Sequence, residues 1–364
     1  MPGRRLPSLS LIRRVVAEAA PGTPDLSLGR PMHAVPGPVR EALAAAVAAG
    51  DFAYTANAGR QDLRRAVARR RPHHGSDGAS VVITTGSQEA LALAILGLVE
   101  PGDEVVIPQH AYPSYEALVG VAGGRAVRAP RQRLAAAVSP ATRLLVLASP
   151  DNPTGEVAPA EDWERLAALA EQSGFWLLSD EVYDELWLGD EPPRYPQGAR
   201  VLHVGGISKS LALTGLRLGW LIAAPGLVRR LLPLHQHLVT CAPSLAQAAA
   251  LAGLALPPAA LDPVRQLYRQ RWQVLRGLLP SLPGGVRWQE PRGAFYLYLD
   301  VRARVRQSTE ALALDLARRG VVVVVPGEAF GSAGRGWLRL SFAAAEETLR
   351  EGVGRLADAL RASP

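Results

Sequence analysis

Gly205-Gly206-Ile207-Ser208-Lys209-Ser210, followed by Gly215-Leu216-Arg217-Leu218-Gly219, contains the one lysine of this 364-residue chain. Of the 40 lysine and arginine residues, all but Lys209 are arginine, so arginine supplies positive charge everywhere else. A primary amine can lose its proton and attack a carbonyl, which a guanidinium does not do. The neighbours of Lys209 are small and apolar, unlike a solvated run of charge. The stretch therefore predicts a nucleophilic lysine, the alternative being a leftover surface lysine.

The bulk composition argues against several classes of protein. Hydrophobic residues make up 48% of the chain, which suffices for a large core. No run reaches the roughly 18 uncharged apolar residues of a membrane helix, and arginines interrupt the basic N-terminus before the apolar region of a signal peptide forms. The single cysteine, Cys241, fits a reducing compartment and is interpreted as a small buried hydrophobe. We therefore expect a cytoplasmic protein without a disulfide framework or a metal site.

The net charge of +7 and the isoelectric point of 10.0 raise the question of nucleic-acid binding. The arginines are scattered, however, with one short cluster at Arg69-Arg70-Arg71, and no helix-turn-helix, RRM or zinc-finger pattern occurs. We interpret the excess charge as a compositional bias that at most attracts anionic ligands. The expected partners are small molecules, not nucleic acid or membrane.

Short apolar segments alternate with amphipathic segments through the middle of the chain. The predicted strands are 81–84, 104–107, 125–128, 143–147, 175–179, 201–204 and 219–223. Helices are predicted between most of them, for example at 88–99, 114–121 and 160–172. This alternation predicts an α/β fold with a mostly parallel sheet covered by helices on both faces.

The end of the chain has a different pattern, which mixes strands and helices. The predicted elements are helices at 261–279, 309–319 and 346–361, and strands at 286–289, 294–299, 321–325 and 337–341. They predict a smaller α+β unit, with the residues before about Pro38 lying against it. We therefore predict a large domain, 39–258, that begins with a helix at 38–50, and a small domain formed by 1–38 and 259–364.

Two segments that follow predicted strands present polar groups. Thr84-Thr85-Gly86-Ser87-Gln88-Glu89-Ala90 is a strand end, a glycine turn and a helix start, where backbone N–H groups favour an anion. An ordinary helix cap has the same pattern. Ser149-Pro150-Asp151-Asn152-Pro153-Thr154-Gly155 presents Asn152 at the carboxyl end of a strand, where open α/β sheets bind ligands. The alternative there is a plain Asn-Pro turn.

A third segment, Phe175-Trp176-Leu177-Leu178-Ser179-Asp180-Glu181-Val182-Tyr183, is an apolar strand that ends in a carboxylate. A buried Asp180 needs a cationic partner, which a protonated pyridine nitrogen would supply. Tyr183 could donate to an adjacent ring oxygen. The alternative is that Asp180 caps the following helix.

Three further residues complete the pattern. Arg217 suits bidentate binding of a phosphate, and Tyr112 suits stacking on an aromatic ring. Arg339, in Trp337-Leu338-Arg339-Leu340-Ser341-Phe342, suits binding of a carboxylate. For Arg339, an edge-strand salt bridge is an equally good interpretation.

Together these segments resemble the fold-type I pyridoxal-phosphate (PLP) aminotransferases, in the aspartate-aminotransferase-like class I/II branch. The resemblance extends from about Leu26 to Leu360 and includes the order and spacing of the motifs. It implies a large domain with a mixed, mostly parallel seven-stranded sheet between helices, a smaller α+β domain, and PLP as the cofactor.

The resemblance also implies a role for each motif residue. Lys209 would hold the cofactor as a Schiff base and move a proton, and Asp180 would keep the pyridine nitrogen protonated. Tyr54 would reach the phosphate of the neighbouring subunit's cofactor, which implies a homodimer with shared active sites. The remaining cofactor-binding positions would be Gly86, Ser87, Gln88, Tyr112, Asn152, Tyr183, Ser208 and Arg217. The substrate-binding positions would be Gly29, Asn152 and Arg339.

Four positions depart from the pattern of the family or leave the substrate open. Gly206 stands where many members of the branch carry a serine, and Ser208 directly precedes the lysine, as in the histidinol-phosphate aminotransferase-like relatives. Arg30 replaces a residue that is commonly acidic or an amide. Arg30 and His33 are therefore candidate readers of the substrate side chain.

The leading hypothesis is transamination of an L-amino acid by a ping-pong mechanism, with 2-oxoglutarate as the expected acceptor. The same scaffold also supports C–S β-elimination, decarboxylation and specialised biosynthetic conversions. A non-enzymatic ligand-sensing domain is a third hypothesis, but every catalytic position is filled and the chain leaves no room for a DNA-binding module.

Overall fold

Seven strands form the central sheet of the structure, a computed structural model that describes residues 7 and 9–362. Their bounds agree with the predicted ones to within two residues, because buried apolar runs flanked by turns determine both. The strands are β1 Val81–Thr84, β2 Glu104–Pro108, β3 Arg125–Ala129, β4 Thr142–Ala148, β5 Trp176–Asp180, β6 Val201–Gly206 and β7 Gly219–Ile222.

The order of the strands in this sheet is β1-β7-β6-β5-β4-β2-β3. Within the group β2 to β6, all neighbouring strands are parallel. Strand β7, in contrast, is antiparallel to both of its neighbours, β1 and β6. Only β7 is therefore reversed, and the carboxyl ends of the other six strands lie at one edge. The predicted mixed, mostly parallel seven-stranded sheet is confirmed.

Helices cover both faces of the sheet. Residues of α4, α5 and α7 pack on one face, and those of α6 and of α2, α3 and α8 pack on the other. The bounds are α1 Leu11–Ala17, α2 Gly37–Ala48, α3 Gln61–Arg70, α4 Ser87–Leu98, α5 Pro113–Ala122, α6 Ala160–Ser173, α7 Pro225–Val239 and α8 Ser244–Ala255.

A second sheet, of order β10-β11-β9-β8, lies with the remaining helices. Three of its four strands are shorter than predicted, whereas the strand at 337–341 has the predicted bounds. Ala294 has a φ of +56°, so β9 begins only at Tyr296, and within 321–325 Val323 forms an isolated bridge to Asp25. The elements are α9 Asp262–Leu278, β8 Arg287–Trp288, β9 Tyr296–Asp300, α10 Thr309–Arg318, β10 Val325–Pro326, β11 Trp337–Ser341 and α11 Glu346–Ala362.

The N-terminal segment joins this second unit. Val15 and Leu26 belong to the same buried cluster as α9, α10 and α11, and the Leu26 carbonyl accepts a hydrogen bond from the Ser341 amide at 2.7 Å. We therefore propose that the domains divide as the sequence predicts, at 38/39 and 258/259. Residues 1–6, 8, 363 and 364 of the predicted small domain lie outside the described residues.

Within 7 and 9–362, no single helix is long and apolar enough to span a membrane. One pair, Ser244–Ala255 with Pro258–Ser281, meets the length and composition criteria when it is taken together, and it is bent by 108°.

Candidate active site

The predicted site residues converge on the edge of the large sheet where six strands end. Ser87 follows β1, Tyr112 follows β2, and Asn152 follows β4. Asp180 is the last residue of β5, and Lys209 follows β6. The reversed strand β7 begins at this edge, two residues after Arg217. The sheet topology therefore brings together motifs that are far apart in the sequence.

Lys209 lies in the loop between β6 and β7, and its side chain is half-buried. Its amine donates a hydrogen bond to the carbonyl of Gly29 and lies 5.5 Å from the centre of the Tyr183 ring. Burial lowers the pKa of Lys209 to about 8, and the positive charges of Arg339 and Arg217 contribute to the lowering. The amine can therefore lose its proton near neutral pH, as a nucleophile or a general base must.

Asp180 is buried, and two hydrogen bonds fix its carboxylate. The Tyr115 hydroxyl donates to one oxygen at 2.6 Å, and the Val182 amide donates to the other at 3.2 Å. Burial raises the pKa of Asp180 to about 6, while the bond from Tyr115 opposes the increase. Asp180 forms no ion pair within the part of the chain that the structure describes, so a cation bound here would gain a fixed, desolvated counter-charge.

The turn from β1 into α4 forms a cup for an anion. Gly86 has a φ of +78°, and α4 begins at Ser87, so free amides point into the turn. A Cβ atom at Gly86 would lie only 2.5 Å from Nη2 of Arg217, so the guanidinium lies directly against the turn. Amides, a helix start and a guanidinium together favour a phosphate-like group.

Tyr112 and Gln88, two further predicted cofactor residues, are hydrogen-bonded beside this cup, and a third, Ser208, adjoins Lys209. Tyr112 precedes α5, and its hydroxyl donates to Oε1 of Gln88 at 3.1 Å. Ser208 is buried beside Lys209 in the loop after β6. The tyrosine ring is thereby held on the same side of the sheet edge as the cup.

Arg339 is fully buried on β11, where its guanidinium makes two hydrogen bonds. Nη1 donates to Oδ1 of Asn152 at 2.8 Å, and Nη2 donates to the carbonyl of Ser27 at 2.7 Å. Burial lowers the pKa of Arg339. Since β11 has neighbours on both sides and Arg339 forms no ion pair with a described residue, the edge-strand salt-bridge interpretation is wrong. A buried cation without a carboxylate is ready to bind one.

Two tyrosine hydroxyls meet beside this arginine. The Tyr183 and Tyr296 hydroxyls are 2.7 Å apart, and the Arg339 guanidinium carbon lies 4.3 Å from the centre of the Tyr296 ring. Burial raises the pKa of Tyr183 and of Tyr296, while Arg339 opposes the increase in both. Asn152 and Tyr183 do not hydrogen-bond to each other but face the same region through these partners.

The remaining predicted positions lie at the margin of this group. The Tyr54 side chain is 87% exposed, and Arg30 is also exposed. Both ring nitrogens of His33 are engaged, one with the Tyr268 hydroxyl and one with the carbonyl of Ser210, each at 3.0 Å. His33 therefore fixes the loop that carries Lys209, and its nitrogens are not free to read a substrate.

Sequence reasoning missed the residues that hold the site residues in place. The position of Tyr115 could have been predicted from the sequence, since it lies one helical turn after Tyr112 and so on the same side of α5. Nothing in the sequence indicated the pair formed by Glu89 and His235, which lie 146 positions apart. Glu89 accepts from the Thr85 amide at 2.5 Å and contacts Nδ1 of His235 at 2.6 Å, while Nε2 of His235 contacts the carbonyl of Asn57 at 2.7 Å. This buried pair links the turn of the anion cup to α7.

A second cluster, formed by His73, Glu181 and His203, includes the residue that follows Asp180. Its three potential metal-ligand atoms lie within 4.8 Å of one another. The two imidazole rings are stacked, however, with centres 3.6 Å apart and planes inclined by only 7°. Because a metal ion lies close to the plane of each imidazole that binds it, an ion cannot satisfy both rings in this arrangement.

Comparison with known proteins identifies one family. The profile of the family "aminotransferase class I and II" matches residues 24–356. The arginine–pyruvate transaminase AruH of Pseudomonas aeruginosa is 35% identical, over 91% of this chain and 88% of its own length. The putative aminotransferase YugH of Bacillus subtilis is 33% identical, over 94% of this chain and 92% of its own length.

A solved structure agrees with the sequence relatives. The aspartate aminotransferase of Thermus thermophilus with maleate has a TM-score of 0.88 and 30% identity, covering 96% of this chain and 97% of that chain. The chain therefore belongs to the aminotransferase class I and II family, and its fold is that of the aspartate-aminotransferase-like enzymes.

Proposed function

We propose that this aminotransferase uses PLP to move the amino group of an L-amino acid to a 2-oxo acid, with 2-oxoglutarate as the acceptor. Donor and acceptor would occupy the same site in turn. The observation that carries the proposal is Lys209, a desolvated primary amine among Asp180, the anion cup and Arg339. Each of these groups matches one part of the cofactor or of an amino acid.

The described residues fit the cofactor. Lys209 supplies the amine, Asp180 supplies a buried carboxylate for a pyridinium nitrogen, and the Gly86 turn with Arg217 forms a cradle that a Cβ atom at Gly86 would block. Ser87, Gln88 and Ser208 complete the phosphate side, while Tyr112, Asn152 and Tyr183 would hold the ring. When bound, PLP supplies an aldehyde that condenses with amines and a ring that accepts an electron pair.

The residues of the chain would then perform three tasks. Arg339, oriented by its hydrogen bonds to Asn152 and Ser27, binds the α-carboxylate of the substrate beside Gly29. Lys209 takes the proton from the substrate α-carbon and returns it at the other end of the reacting system. Asp180, held by Tyr115, stays ionised once a cationic nitrogen lies against it.

The functional unit would be a cytoplasmic homodimer. Tyr54 is 87% exposed and Phe52 is 65% exposed, so the described residues cover little of these two aromatic side chains. A second subunit would bury them and bring the Tyr54 hydroxyl to the phosphate of its own cofactor.

The test is the half-reaction with PLP and single amino acids, read by visible absorption and by the 2-oxo acid released. Arginine and aspartate are tested first, because relatives are named for them. We expect one amino acid to bleach the absorption and a 2-oxo acid to restore it. Lys209→Ala and the charge-retaining Lys209→Arg should both abolish the exchange. Wild-type turnover in either variant would contradict the proposal.

A further inference from the structure

Tyr296 lies at the centre of the proposed site, although no sequence motif pointed to it. It is buried on β9, and its hydroxyl is 2.7 Å from that of Tyr183. Its ring lies 4.3 Å from the guanidinium carbon of Arg339. A Cβ atom at Gly29 would come within 3.3 Å of its hydroxyl oxygen. Tyr296 therefore contacts the tyrosine expected to face the cofactor, the arginine expected to bind substrate, and the segment that accepts from Lys209.

The protons of the two hydroxyls limit what this pair can do. Each tyrosine carries one hydroxyl proton, and its oxygen can also accept a hydrogen bond. The mutual bond uses one of the two protons and leaves the other for a third group. If Tyr296 donates to Tyr183, the free proton is on Tyr183; if Tyr183 donates, the free proton is on Tyr296.

The surroundings favour donation by Tyr296. Burial raises the pKa of Tyr183 well above its usual value and raises that of Tyr296, but Arg339 over the Tyr296 ring is the largest opposing influence on Tyr296. Because the guanidinium carbon lies 4.3 Å from the centre of the Tyr296 ring, its positive charge favours the Tyr296 hydroxyl as the donor. Its donation also polarises Tyr183, because hydrogen bonds in a chain strengthen one another.

We propose that Tyr296 is a positioning residue, which donates to the Tyr183 oxygen and so keeps the Tyr183 proton directed at the ring oxygen of PLP. The inference rests on the proposed function. In this arrangement Tyr296, on the small sheet, sets how strongly Tyr183, in the turn after β5, stabilises the deprotonated form of the bound chromophore.

The test compares Tyr296→Phe with Tyr298→Phe in the PLP-loaded protein. Tyr298 is the matched control, because it lies two residues on along the same strand and its hydroxyl contacts His110 at 3.3 Å instead. The pH titration of the visible absorption and the affinity for PLP are measured for both. We expect Tyr296→Phe to raise the midpoint by about half to one pH unit, as the loss of one hydrogen bond implies, and Tyr298→Phe to leave it unchanged.

A double variant separates positioning from a general structural effect. In a Tyr183→Phe background, Tyr296→Phe should shift the midpoint no further, since the hydroxyl that it acts through is gone. An unshifted midpoint in Tyr296→Phe, an equal shift in Tyr298→Phe, or an undiminished shift in the Tyr183→Phe background would each overturn the inference. Failure of the wild-type protein to acquire a visible absorption with PLP would instead overturn the proposed function itself.

Discussion

Asp180 occupies a position that suits a cationic ligand better than it suits the free protein. Its carboxylate is buried, and the negative charges of Glu181 and Asp151 add to the effect of burial in raising its pKa to about 6. Since the pKa of the folded state exceeds the value of 3.8 for a free side chain, the folded protein binds more protons than the unfolded chain between these two values. The contribution of Asp180 to the stability of the free protein is therefore expected to fall as the pH rises from about 4 to about 6.

Replacement of Asp180 by Asn should remove the destabilisation that the buried negative charge causes. We expect the free energy of unfolding of the cofactor-free D180N variant to exceed that of the wild type by about 1–3 kcal/mol at pH 8, with the difference vanishing below pH 4. Urea unfolding at several pH values measures this. Asp358→Asn, at a side chain that is 80% exposed, is the control and should change nothing. A destabilised D180N protein at pH 8 would refute the account of Asp180.

The glycine in the turn between β1 and α4 is expected to be essential for cofactor binding. Gly86 and Gly102 both have positive φ values, +78° and +96°, but only at Gly86 would a Cβ atom meet the guanidinium of Arg217. Alanine at either position should cost about 1 kcal/mol of stability through backbone strain. We expect Gly86→Ala alone to weaken PLP binding at least about tenfold, because it displaces Arg217 from the cup. Equal affinities in the two variants, measured by fluorescence titration, would contradict this.

The Glu89–His235 pair tests what holds the same turn in place. The carbonyl of Asn57 only accepts, so Nε2 of His235 carries a proton, and one more proton lies between Nδ1 and Glu89. Glu89→Gln can donate to Nδ1 and still accept from Thr85, whereas Glu89→Ala leaves both groups unpaired. We expect a loss of about 3 kcal/mol of stability in Glu89→Ala and of less than about 1 kcal/mol in Glu89→Gln, measured by chemical denaturation. Similar losses in both variants would show that the charge, not the hydrogen bonds, is essential.

The elements were predictable from the sequence because their signals are local. Each strand of the large sheet is a short apolar run that ends at glycine, proline or a polar motif, and the helix predicted at 88–99 begins one residue earlier, at Ser87. The strand predicted at 321–325 failed because an apolar run does not reveal whether a neighbouring strand is present, and only Val325 and Pro326 pair with β11.

The contacts within the site were less predictable, because they join residues far apart in the chain. The Tyr115–Asp180 and Tyr183–Tyr296 bonds span 65 and 113 positions. Single-sequence reasoning identified the residues that matched motifs but not the partners that orient them. The salt-bridge interpretation of Arg339 failed for the same reason, since the strand order that puts β11 between two neighbours is a property of the whole sheet.

At the scale of the whole molecule, the proposed dimer makes a prediction about shared sites. If Tyr54 binds the cofactor of the partner subunit, each site takes Lys209 from one subunit and Tyr54 from the other. The test co-expresses a Lys209→Ala chain with a Tyr54→Ala chain. Mixed dimers would then contain one site with both changes and one intact site, so co-expression should restore up to about a quarter of the wild-type activity. Activity no higher than that of the separate variants would mean that each site is built from one chain.

The identity of the reactive amine allows the most direct measurement of the central claim. The chain has one lysine, so Lys209 and the N-terminal amine are the primary amines at which PLP can be trapped. The protein is loaded with PLP, reduced with borohydride, digested and analysed by mass spectrometry. The account predicts one pyridoxyl phosphate group per chain, on the peptide that contains Lys209. A protein that carries no label, or carries it only at the N-terminus, would contradict the account.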